Sequence, residues 1–287
     1  MQTNLECIPC FISQSLEAAR MVSDDENMHE KVLKKVMQHL QNINFNDSPP
    51  MLSRKVHEII RNEIKSEDPY KKIKEQSNKI AEKYYPKLEK IIQDSDDPLL
   101  DSIKLSIAGN VIDFGTKNRF DIQETINTIN EKEIDEEAYS YFKKILNKSN
   151  NVLYLADNAG ETFFDKILIN QIKKHTEKIT YVVKNNPIIN DAIKEDAIYA
   201  GINEIAEIIA GDEMQKISAP AIILKYASED FKKLFFKADM VITKGQGNYE
   251  SLSNVEREIF FLLMIKCPLV AQDIGYEFAK PVLKVKK

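Results

Sequence analysis

The stretch VLYLADNAGET, residues 152–162, places an apolar run directly before Asp157, Asn158 and Glu161. Short apolar runs of this kind recur after residue 150, with helical patterns such as FFDKILINQIKKH (163–175) between them. Runs that are apolar on both faces and alternate with helices predict a parallel sheet covered on both sides. The predicted strands are VLYLA (152–156), ITYVV (179–183), EIIA (207–210), MVIT (240–243) and PLVA (268–271).

The chain before residue 150 has a different hydrophobic period. Apolar residues recur there every three or four positions between charged residues, which is typical of amphipathic helices. The helical stretches are 11–22, 28–43, 53–64 and 71–92, separated by turn-like breaks at DSPP (47–50), EDP (67–69) and DSDDP (94–98). We therefore predict an α/β fold: a mainly helical N-terminal region, residues 1–148, and a Rossmann-like region with a mainly parallel sheet flanked by helices, residues 149–287.

Charge, apolar runs and cysteine count make some classes of protein less favoured. The 287 residues carry 45 acidic against 40 basic side chains, a net charge of -5, which does not favour a nucleic-acid binder. The sequence has neither a run of 18 apolar residues nor the pattern of a secretory signal, so no membrane partner is expected. Three cysteines, an odd number, fit a reducing compartment. These features predict a cytoplasmic protein.

Polar side chains follow three of the predicted strands. Asp157, Asn158 and Glu161 follow the first, and Lys184, Asn190 and Asp191 the second; Lys244, Gly245 and Asn248 follow MVIT. In an open parallel sheet the carboxyl ends of the strands share one edge, where ligands bind. Carboxylate and amide oxygens suit a hard cation such as Mg²⁺ or Mn²⁺, and two lysines beside it could neutralise a phosphate. The edge therefore predicts phosphoryl chemistry.

Four separated motifs also resemble one known family. They are AGNVIDFG (108–115), DNAGE (157–161), KNNPIINDAIKEDA (184–197) and KGQGNYESL (244–252), and they follow an N-terminal CxxC. Together they resemble the damage-control phosphatase family, formerly a domain of unknown function and also called the acidic-residue-methyltransferase-like metal-binding domain. The resemblance spans nearly the whole chain, and the CxxC is similar to that of the compact archaeal and bacterial branch. The last dozen residues, YEFAKPVLKVKK, match no motif.

The resemblance implies a metal-dependent phosphatase that hydrolyses phosphorylated small metabolites, such as sugar phosphates or damaged metabolites. It implies Mn²⁺ or Mg²⁺ as the cofactor, with Co²⁺ or Ni²⁺ as further options. The family's metal ligands fall on Asp157, Asn158 and Asp191, and its phosphate-contacting lysine falls on Lys244. Asp157 and Lys244 are the expected catalytic residues. The expected substrate-binding residues are Glu161, Lys184, Asn190, Asn110, Asp113, Gly245 and Asn248.

Each of these assignments has a structural alternative. Asp157 and Asn158 are also common turn and cap residues, and Glu161 could only complement a helix dipole. Lys184 could be a solvated strand end, and Asn190 could only hold the loop that presents Asp191. The glycines of AGNVIDFG could bring Asn110 and Asp113 to the substrate, or could serve a helix terminus that needs small residues.

The residues leave mechanism and function class open. A metal held by Asp157, Asn158 and Asp191 could activate water while Lys244 screens charge, or Asp157 could attack phosphorus and form an aspartyl phosphate. An S-adenosylmethionine-dependent carboxyl methyltransferase is a less favoured alternative, because DNAGE has one glycine where that cofactor's binding turn is expected. A non-catalytic, metal-dependent binder of phosphate ligands is a third. Natural substrate, physiological metal and oligomeric state stay open.

Cys7 and Cys10 form the CxxC. A closed zinc site needs four ligands, and Cys267 is the only other thiol in the chain. A redox CxxC normally follows a strand, and none is predicted here. We therefore favour two reduced cysteines that open the first helix close to Cys267.

Overall fold

A computed structural model describes residues 1–110, 128, 133–212 and 216–287. The N-terminal region is helical, as predicted. Its helices are α1 (Cys7–Val22), α2 (Glu26–Leu40), α3 (Pro49–Ile64), α4 (Lys71–Gln93), α5 (Pro98–Gly109) and α6 (Glu136–Leu146). Carboxylates of Asp25, Asp97 and Asp135 accept first-turn N–H groups and fix where α2, α5 and α6 begin. No helix in the described part of the chain has the length and apolar character that crossing a bilayer requires.

The C-terminal region forms one six-stranded sheet. Its strands are β1 (Asn151–Leu155), β2 (Lys178–Val183), β3 (Glu207–Ala210), β4 (Met240–Lys244), β5 (Ile259–Met264) and β6 (Pro281–Lys286). The helices between them are α7 (Glu161–Ile172), α8 (Lys194–Tyr199), α9 (Glu229–Lys237), α10 (Gln246–Leu252) and α11 (Pro268–Ile274). The strand order is β3-β2-β1-β4-β5-β6, parallel except for β6. The predicted α/β fold is confirmed, and its topological switch point lies between β1 and β4.

One predicted strand is wrong. PLVA (268–271) lies in α11, where Pro268 occupies a first-turn position that needs no N–H donor. The strand in this part of the sheet is the preceding run IFFLLM, which is buried at all six positions. β6 lies within the C-terminal segment that matched no motif and pairs antiparallel with β5 at the edge of the sheet. A run of four apolar residues does not distinguish a strand from a buried helix, and a proline at its first position favours the helix.

The helical region packs directly onto the sheet. One hydrophobic cluster joins Leu88 of α4 and Ile103 of α5 to Tyr154 of β1 and Phe164 of α7. A Cβ on Gly109, the last residue of α5, would lie 2.8 Å from the Phe164 Cβ, so glycine permits the close approach of α5 and α7. This packing brings the C-terminal end of α5 to the DNAGE turn.

Candidate active site at the carboxyl edge of the sheet

Two loops at the sheet edge are joined by backbone hydrogen bonds. The loop after β2 meets the loop after β1, because Ala192 N–H donates to Asp157 O at 2.8 Å and Ala159 N–H donates to Asn190 O at 2.9 Å. Asn158 and Asp191 form an antiparallel bridge at the same place. Asp191 is therefore held beside Asp157 and Asn158, as the strand-end argument predicts.

A set of side-chain hydrogen bonds surrounds the Asp157 carboxylate. Asn110 Nδ2, just after α5, donates to Asp157 Oδ2 at 2.6 Å and to Glu161 Oε2 at 3.1 Å. Asn158 Nδ2 donates to the same two oxygens at 3.0 and 3.1 Å. These bonds fix the rotamers of both acids. Because the Asn158 amide nitrogen is turned toward the carboxylates, its oxygen Oδ1 faces away from them.

A second, deeper group of charges lies below this set. Lys244 Nζ, at the end of β4, is fully buried and pairs with Glu161 Oε1. It also donates to Asp165 Oδ1 and to Ser106 O, each at 2.8 Å. Burial opposes the charge of Lys244, but the nearby Asp165 and Glu161 carboxylates raise the pKa of its ammonium above the ordinary value. Lys244 is thus charged and held by oxygen atoms on the protein itself.

Asp165 has the largest number of polar partners in this buried group. Besides Lys244, it accepts hydrogen bonds from Tyr154 OH at 2.7 Å, Tyr181 OH at 2.8 Å and Ser106 Oγ at 3.0 Å. All of these side chains are buried. A buried carboxylate is tolerated when its oxygens are saturated in this way. The network links α5, β1, β2, β4 and α7 beneath the DNAGE turn.

Lys184 has a different environment. It follows β2, and its side chain is buried with Nζ 3.5 Å from Asp191 Oδ2. That separation is an ion pair without a hydrogen bond, and within the described residues neither Lys184 Nζ nor Asp191 Oδ2 has a hydrogen-bond partner. Burial raises the pKa of Asp191 to about 7, although Lys184 acts in the opposite direction. The pair is poorly satisfied as it stands.

Asp157 is also an unfavourable place for negative charge. Burial, followed by the like charges of Glu161 and Asp191, raises its pKa well above the ordinary value, while Lys184 and Lys266 oppose this shift. Acidic groups that crowd one site raise one another's pKa unless a cation compensates them. Asp157, Asn158 and Asp191 could therefore hold a cation, which would restore the ionised forms.

Gly245 and Asn248 support Asp157 and its strand from below. Gly245 has φ +79°, and a Cβ there would lie 1.9 Å from Asp157 Oδ2. Both the left-handed backbone conformation and the lack of room for a side chain therefore require glycine. Asn248 is fully buried: Nδ2 donates to Ala156 O at 3.2 Å and Lys244 O at 2.8 Å, and Oδ1 accepts from Ile222 N–H at 2.8 Å. These contacts join β1 and β4 behind the site.

The acids open into a cleft of about 540 Å³. The helical region supplies one wall through α1 and the start of α3, and the sheet edge supplies the other. The predicted site residues that line it are Asn110, Asp157, Asn158, Asn190 and Asp191. Its volume is in the range of small-molecule sites.

The three cysteines line the same cleft. Cys7 and Cys10 lie in the first turn of α1, and Cys267 directly precedes α11. All three are free thiols. Burial raises the pKa of Cys7 and Cys10, and the neighbouring cysteines raise the pKa of Cys10 further. Cys7 and Cys10 are therefore thiols and not thiolates at neutral pH.

Not every predicted site residue faces the cleft. The described part of the cleft wall excludes Glu161, Lys184, Lys244, Gly245 and Asn248. Contact between Lys244 and a phosphate would require this ammonium to leave its three oxygen partners, so the structure favours a positioning role for it. Asp113 lies outside the described residues.

Sequence reasoning also missed several residues of the site. Asp165 is a charged residue on the apolar face of α7, a signal that was available in FFDKILINQI. Asn78 of α4 gave no such signal, yet its Oδ1 accepts from Gly160 N–H at 2.6 Å and its Nδ2 donates to Asp196 at 2.7 Å. Asp212 follows β3 on the same sheet edge, and its Oδ1 accepts from Asn185 N–H at 2.7 Å.

The sequence matches one known protein family over almost its whole length. The family model described as the damage-control phosphatase ARMT1-like domain matches residues 3–280. The chain belongs to this damage-control phosphatase family. The resemblance drawn from the four motifs is thereby confirmed.

Archaeal members of the family are similar over almost their whole length. The chain is 32% identical to a damage-control phosphatase of Archaeoglobus fulgidus, over 97% of either protein. It is 31% identical to damage-control phosphatase PH1575 of Pyrococcus horikoshii, over 96% of this chain and 94% of that protein. An uncharacterized Methanocaldococcus jannaschii protein is 38% identical, over 97% of this chain and 93% of that protein.

The fold of the family is known from a crystal structure. The structure of the Pyrococcus horikoshii PH1575 protein, described as a DUF89 family protein, superposes with a TM-score of 0.88 at 29% identity and covers all of both chains. The helical region and the mainly parallel sheet are therefore shared along the full length of this family member.

Proposed function

We propose that this damage-control phosphatase family member is a metal-dependent phosphomonoester hydrolase that acts on phosphorylated small metabolites. The single observation that carries the proposal is the buried Asp191 Oδ2, which has no hydrogen-bond partner within the described residues. It lies beside Asp157 and Asn158 at a cleft large enough for a small metabolite. The names of the Archaeoglobus and Pyrococcus relatives support phosphatase activity.

The donor set fits a hard divalent cation. Asp157, Asn158 and Asp191 offer carboxylate and amide oxygens, which Mg²⁺ and Mn²⁺ prefer. No group of three or more His, Cys, Asp or Glu in the described residues is arranged to hold a metal ion. The proposed set consists of two carboxylates and one amide, so it does not depend on such a group. We therefore prefer Mn²⁺ or Mg²⁺, with Co²⁺ or Ni²⁺ as substitutes.

Side-chain contacts within the protein hold the two acids Asp157 and Glu161 in place. When bound, a divalent cation would polarise the phosphoryl oxygens and make a water molecule a better nucleophile. Asn110 and Asn158 hold Asp157 through its Oδ2, and Lys244 holds Glu161, which accepts from the same two amides. Such preorganisation keeps the charged groups in place without reorganisation during the reaction.

The hydrogen bonds of Asp157 favour its role as a ligand over its role as a nucleophile. Its Oδ2 accepts from two amide groups, at 2.6 and 3.0 Å. Hydrogen bonds to a carboxylate oxygen stabilise its charge and reduce its tendency to attack phosphorus. Attack by water therefore fits the site better than formation of an aspartyl phosphate.

Phosphate release after metal removal tests the proposal. The protein would be stripped with EDTA and assayed on sugar phosphates, nucleotides and p-nitrophenyl phosphate, with Mg²⁺, Mn²⁺, Co²⁺ or Ni²⁺ restored singly. We expect turnover only with a restored metal, and loss of turnover in Asp157→Asn but not in the control Asp24→Asn, an exposed acid that does not line the described cleft wall. Turnover that is unchanged by EDTA, or no turnover with any metal, would refute a metal-dependent phosphatase.

A further inference from the structure

The acidic side chains of the cleft wall form two groups. Asp157 and Asp191 belong to the proposed cation site, whereas Glu6, just before α1, and Glu250 of α10 belong to no proposed ligand set. In the described part of the wall Lys266 is the one residue with a cationic side chain, and its charge acts on Asp157. A divalent cation and Lys266 therefore compensate the first group, and the described wall offers no such cation to the second.

The Glu250 carboxyl group is an acceptor with few partners of its own. Burial raises its pKa, and one side chain in the described residues, Gln246, donates to it, from Nε2 to Oε1 at 3.3 Å. The Met1 ammonium acts on Glu250 through its charge, but it donates to the Glu250 backbone oxygen at 2.7 Å and to Ser253 Oγ at 3.1 Å. A buried carboxylate with one long hydrogen bond is stabilised by a cation that reaches it.

A second acceptor, Gln14, lies on the α1 side of the cleft. Its Nε2 donates to Cys10 Sγ at 3.7 Å, and its buried Oε1 has no hydrogen-bond partner within the described residues. The Glu250 charge also acts on Cys10, so that carboxylate lies within electrostatic reach of the same thiol. Gln14 and Glu250 both line the cleft. The cleft therefore presents two incompletely satisfied oxygen acceptors near Cys10.

Oxygen acceptors of this kind favour a ligand group that only donates. An alkylammonium has three N–H donors and no acceptor, and it is charged at neutral pH. A hydroxyl group can donate one hydrogen bond, but it leaves the charge of a carboxylate uncompensated. A phosphate or carboxylate group would be repelled by Glu6 and Glu250. The chemistry of this side of the cleft therefore favours an ammonium.

We propose that Gln14 and Glu250 form a subsite for an ammonium group on the leaving alcohol of the substrate, with Glu250 as the specificity-determining residue. The inference rests on the proposed phosphatase function and narrows its substrate class to phosphate monoesters of amino alcohols or amino sugars. The phosphoryl group of such an ester faces the cation site, and its ammonium faces Glu250. Three apolar side chains of the same wall suit the carbon atoms between the two charged ends: Phe11, Pro49 and Pro50.

Matched esters that differ in one functional group form the first part of the test. Aminoethyl phosphate would be compared with hydroxyethyl phosphate, and aminohexyl phosphate with hydroxyhexyl phosphate, so that two lengths of carbon chain are covered. With the metal restored, we expect wild-type kcat/KM to be about tenfold or more higher for the amine ester in at least one pair, the range for a hydrogen bond between charged groups. Equal kcat/KM for amine and alcohol in both pairs would overturn the inference and leave the phosphatase intact.

Glu250→Gln keeps the shape of the side chain and removes its charge. We expect the ratio of kcat/KM between the amine ester and the alcohol ester to fall to about one in this variant. Gln14→Met should lower the ratio by a smaller factor, about twofold to tenfold, because a neutral amide is a weaker partner for an ammonium than a carboxylate is. The matched control is Glu256→Gln, an exposed acid outside the described cleft wall that gives the same change in net charge. A ratio that is unchanged in Glu250→Gln, or lost in Glu256→Gln, would contradict the assignment.

Calorimetric titration of the same esters into the metal-restored protein separates this inference from the function on which it rests. Tighter binding of the amine ester than of the alcohol ester by wild type, with the difference lost in Glu250→Gln, supports the subsite even if no phosphate is released. Wild-type protein that neither binds nor hydrolyses the esters of either pair would overturn the inference. Turnover of other phosphate monoesters would in that case leave the proposed phosphatase intact.

Discussion

Two lysines lie at the carboxyl ends of strands in the same sheet, and their surroundings differ. Lys244 ends β4 and donates to Ser106 O and to two carboxylates, Glu161 and Asp165. Lys184 follows β2, and its ion pair with Asp191 is 3.5 Å long. Within the described residues its ammonium has no hydrogen bond. The first lysine belongs to a completed network and the second to an incomplete one.

The difference separates the part of the site whose polar groups are paired within the protein from the part that keeps unpaired polar atoms. A saturated buried network holds its members rigidly, because any movement leaves a polar group unpaired. An unsatisfied buried group carries a cost that a ligand can remove. The Lys244 network therefore positions the DNAGE turn, and Asp157, Asn158 and Asp191 form the proposed site of the cation.

Replacing Lys244 by methionine should produce the largest effect on stability. Lys244→Met keeps the volume but leaves Glu161 and Asp165 buried without a counter-charge. Removing one partner of a buried ion pair costs about 3–5 kcal/mol, and we expect a loss of that order in the free energy of unfolding measured with urea. A loss below about 1 kcal/mol would contradict the positioning role.

Lys184→Met is the matched substitution at the other lysine. We expect a smaller loss in the free energy of unfolding than in Lys244→Met, because the Lys184 ammonium has one ion pair 3.5 Å long and, within the described residues, no hydrogen bond to lose. Asp191, whose pKa is about 7, can take up a proton when the pair is lost. The value of kcat/KM should instead fall about tenfold or more. Equal stability losses in Lys184→Met and Lys244→Met would remove the distinction between the two lysines.

Glu250, a buried acid of the same cleft, should make the free energy of unfolding depend on pH. Burial raises its pKa from 4.5 to about 7, although Gln246 and the N-terminal ammonium oppose the shift. An acid with a raised pKa binds more protons in the folded state, so its contribution to stability is present below pH 4.5 and is lost as pH rises through about 7. Glu250→Gln should therefore gain stability relative to wild type over that interval, as measured by urea unfolding at several pH values. A constant difference between the two proteins would contradict the shift.

The cysteines should give the smallest effect. The double variant Cys7→Ser, Cys10→Ser replaces two partly exposed thiols, so we expect a stability loss of about 0.5–1 kcal/mol. Specific activity should stay within about twofold, because the thiols lie on the cleft wall and not among the proposed ligands. A well-folded double variant that loses its activity would instead place these thiols in the catalytic chemistry.

The sequence predicted the sheet and its polar edge because both follow from short-range patterns. Apolar runs identify β1, β2, β3 and β4, and a parallel sheet brings the residues after them together. PLVA was predicted as the strand in place of IFFLLM because both runs are apolar, and an apolar run alone does not decide between helix and strand. β6 was missed because its sequence, PVLKVK, is interrupted by lysines and so does not form a continuous apolar run.

The side-chain network was less accessible to sequence reasoning. The partners of Asp165 come from four different elements, and the hydrogen bond from Gly160 N–H to Asn78 crosses from the sheet to α4. Such contacts depend on how helices pack, which a local pattern does not encode. For the same reason Lys244 and Asn248, read as substrate contacts from their motif, have their side-chain partners within the protein.

Titration of Mn²⁺ into the EDTA-stripped protein tests the central claim most directly. Wild type should bind one ion per chain, and Asp191→Asn should weaken that binding at least about tenfold with no loss of folded structure. Asp24→Asn should match the wild type. Equal affinity in wild type and Asp191→Asn would contradict the assignment of Asp157, Asn158 and Asp191 as the site of the cation.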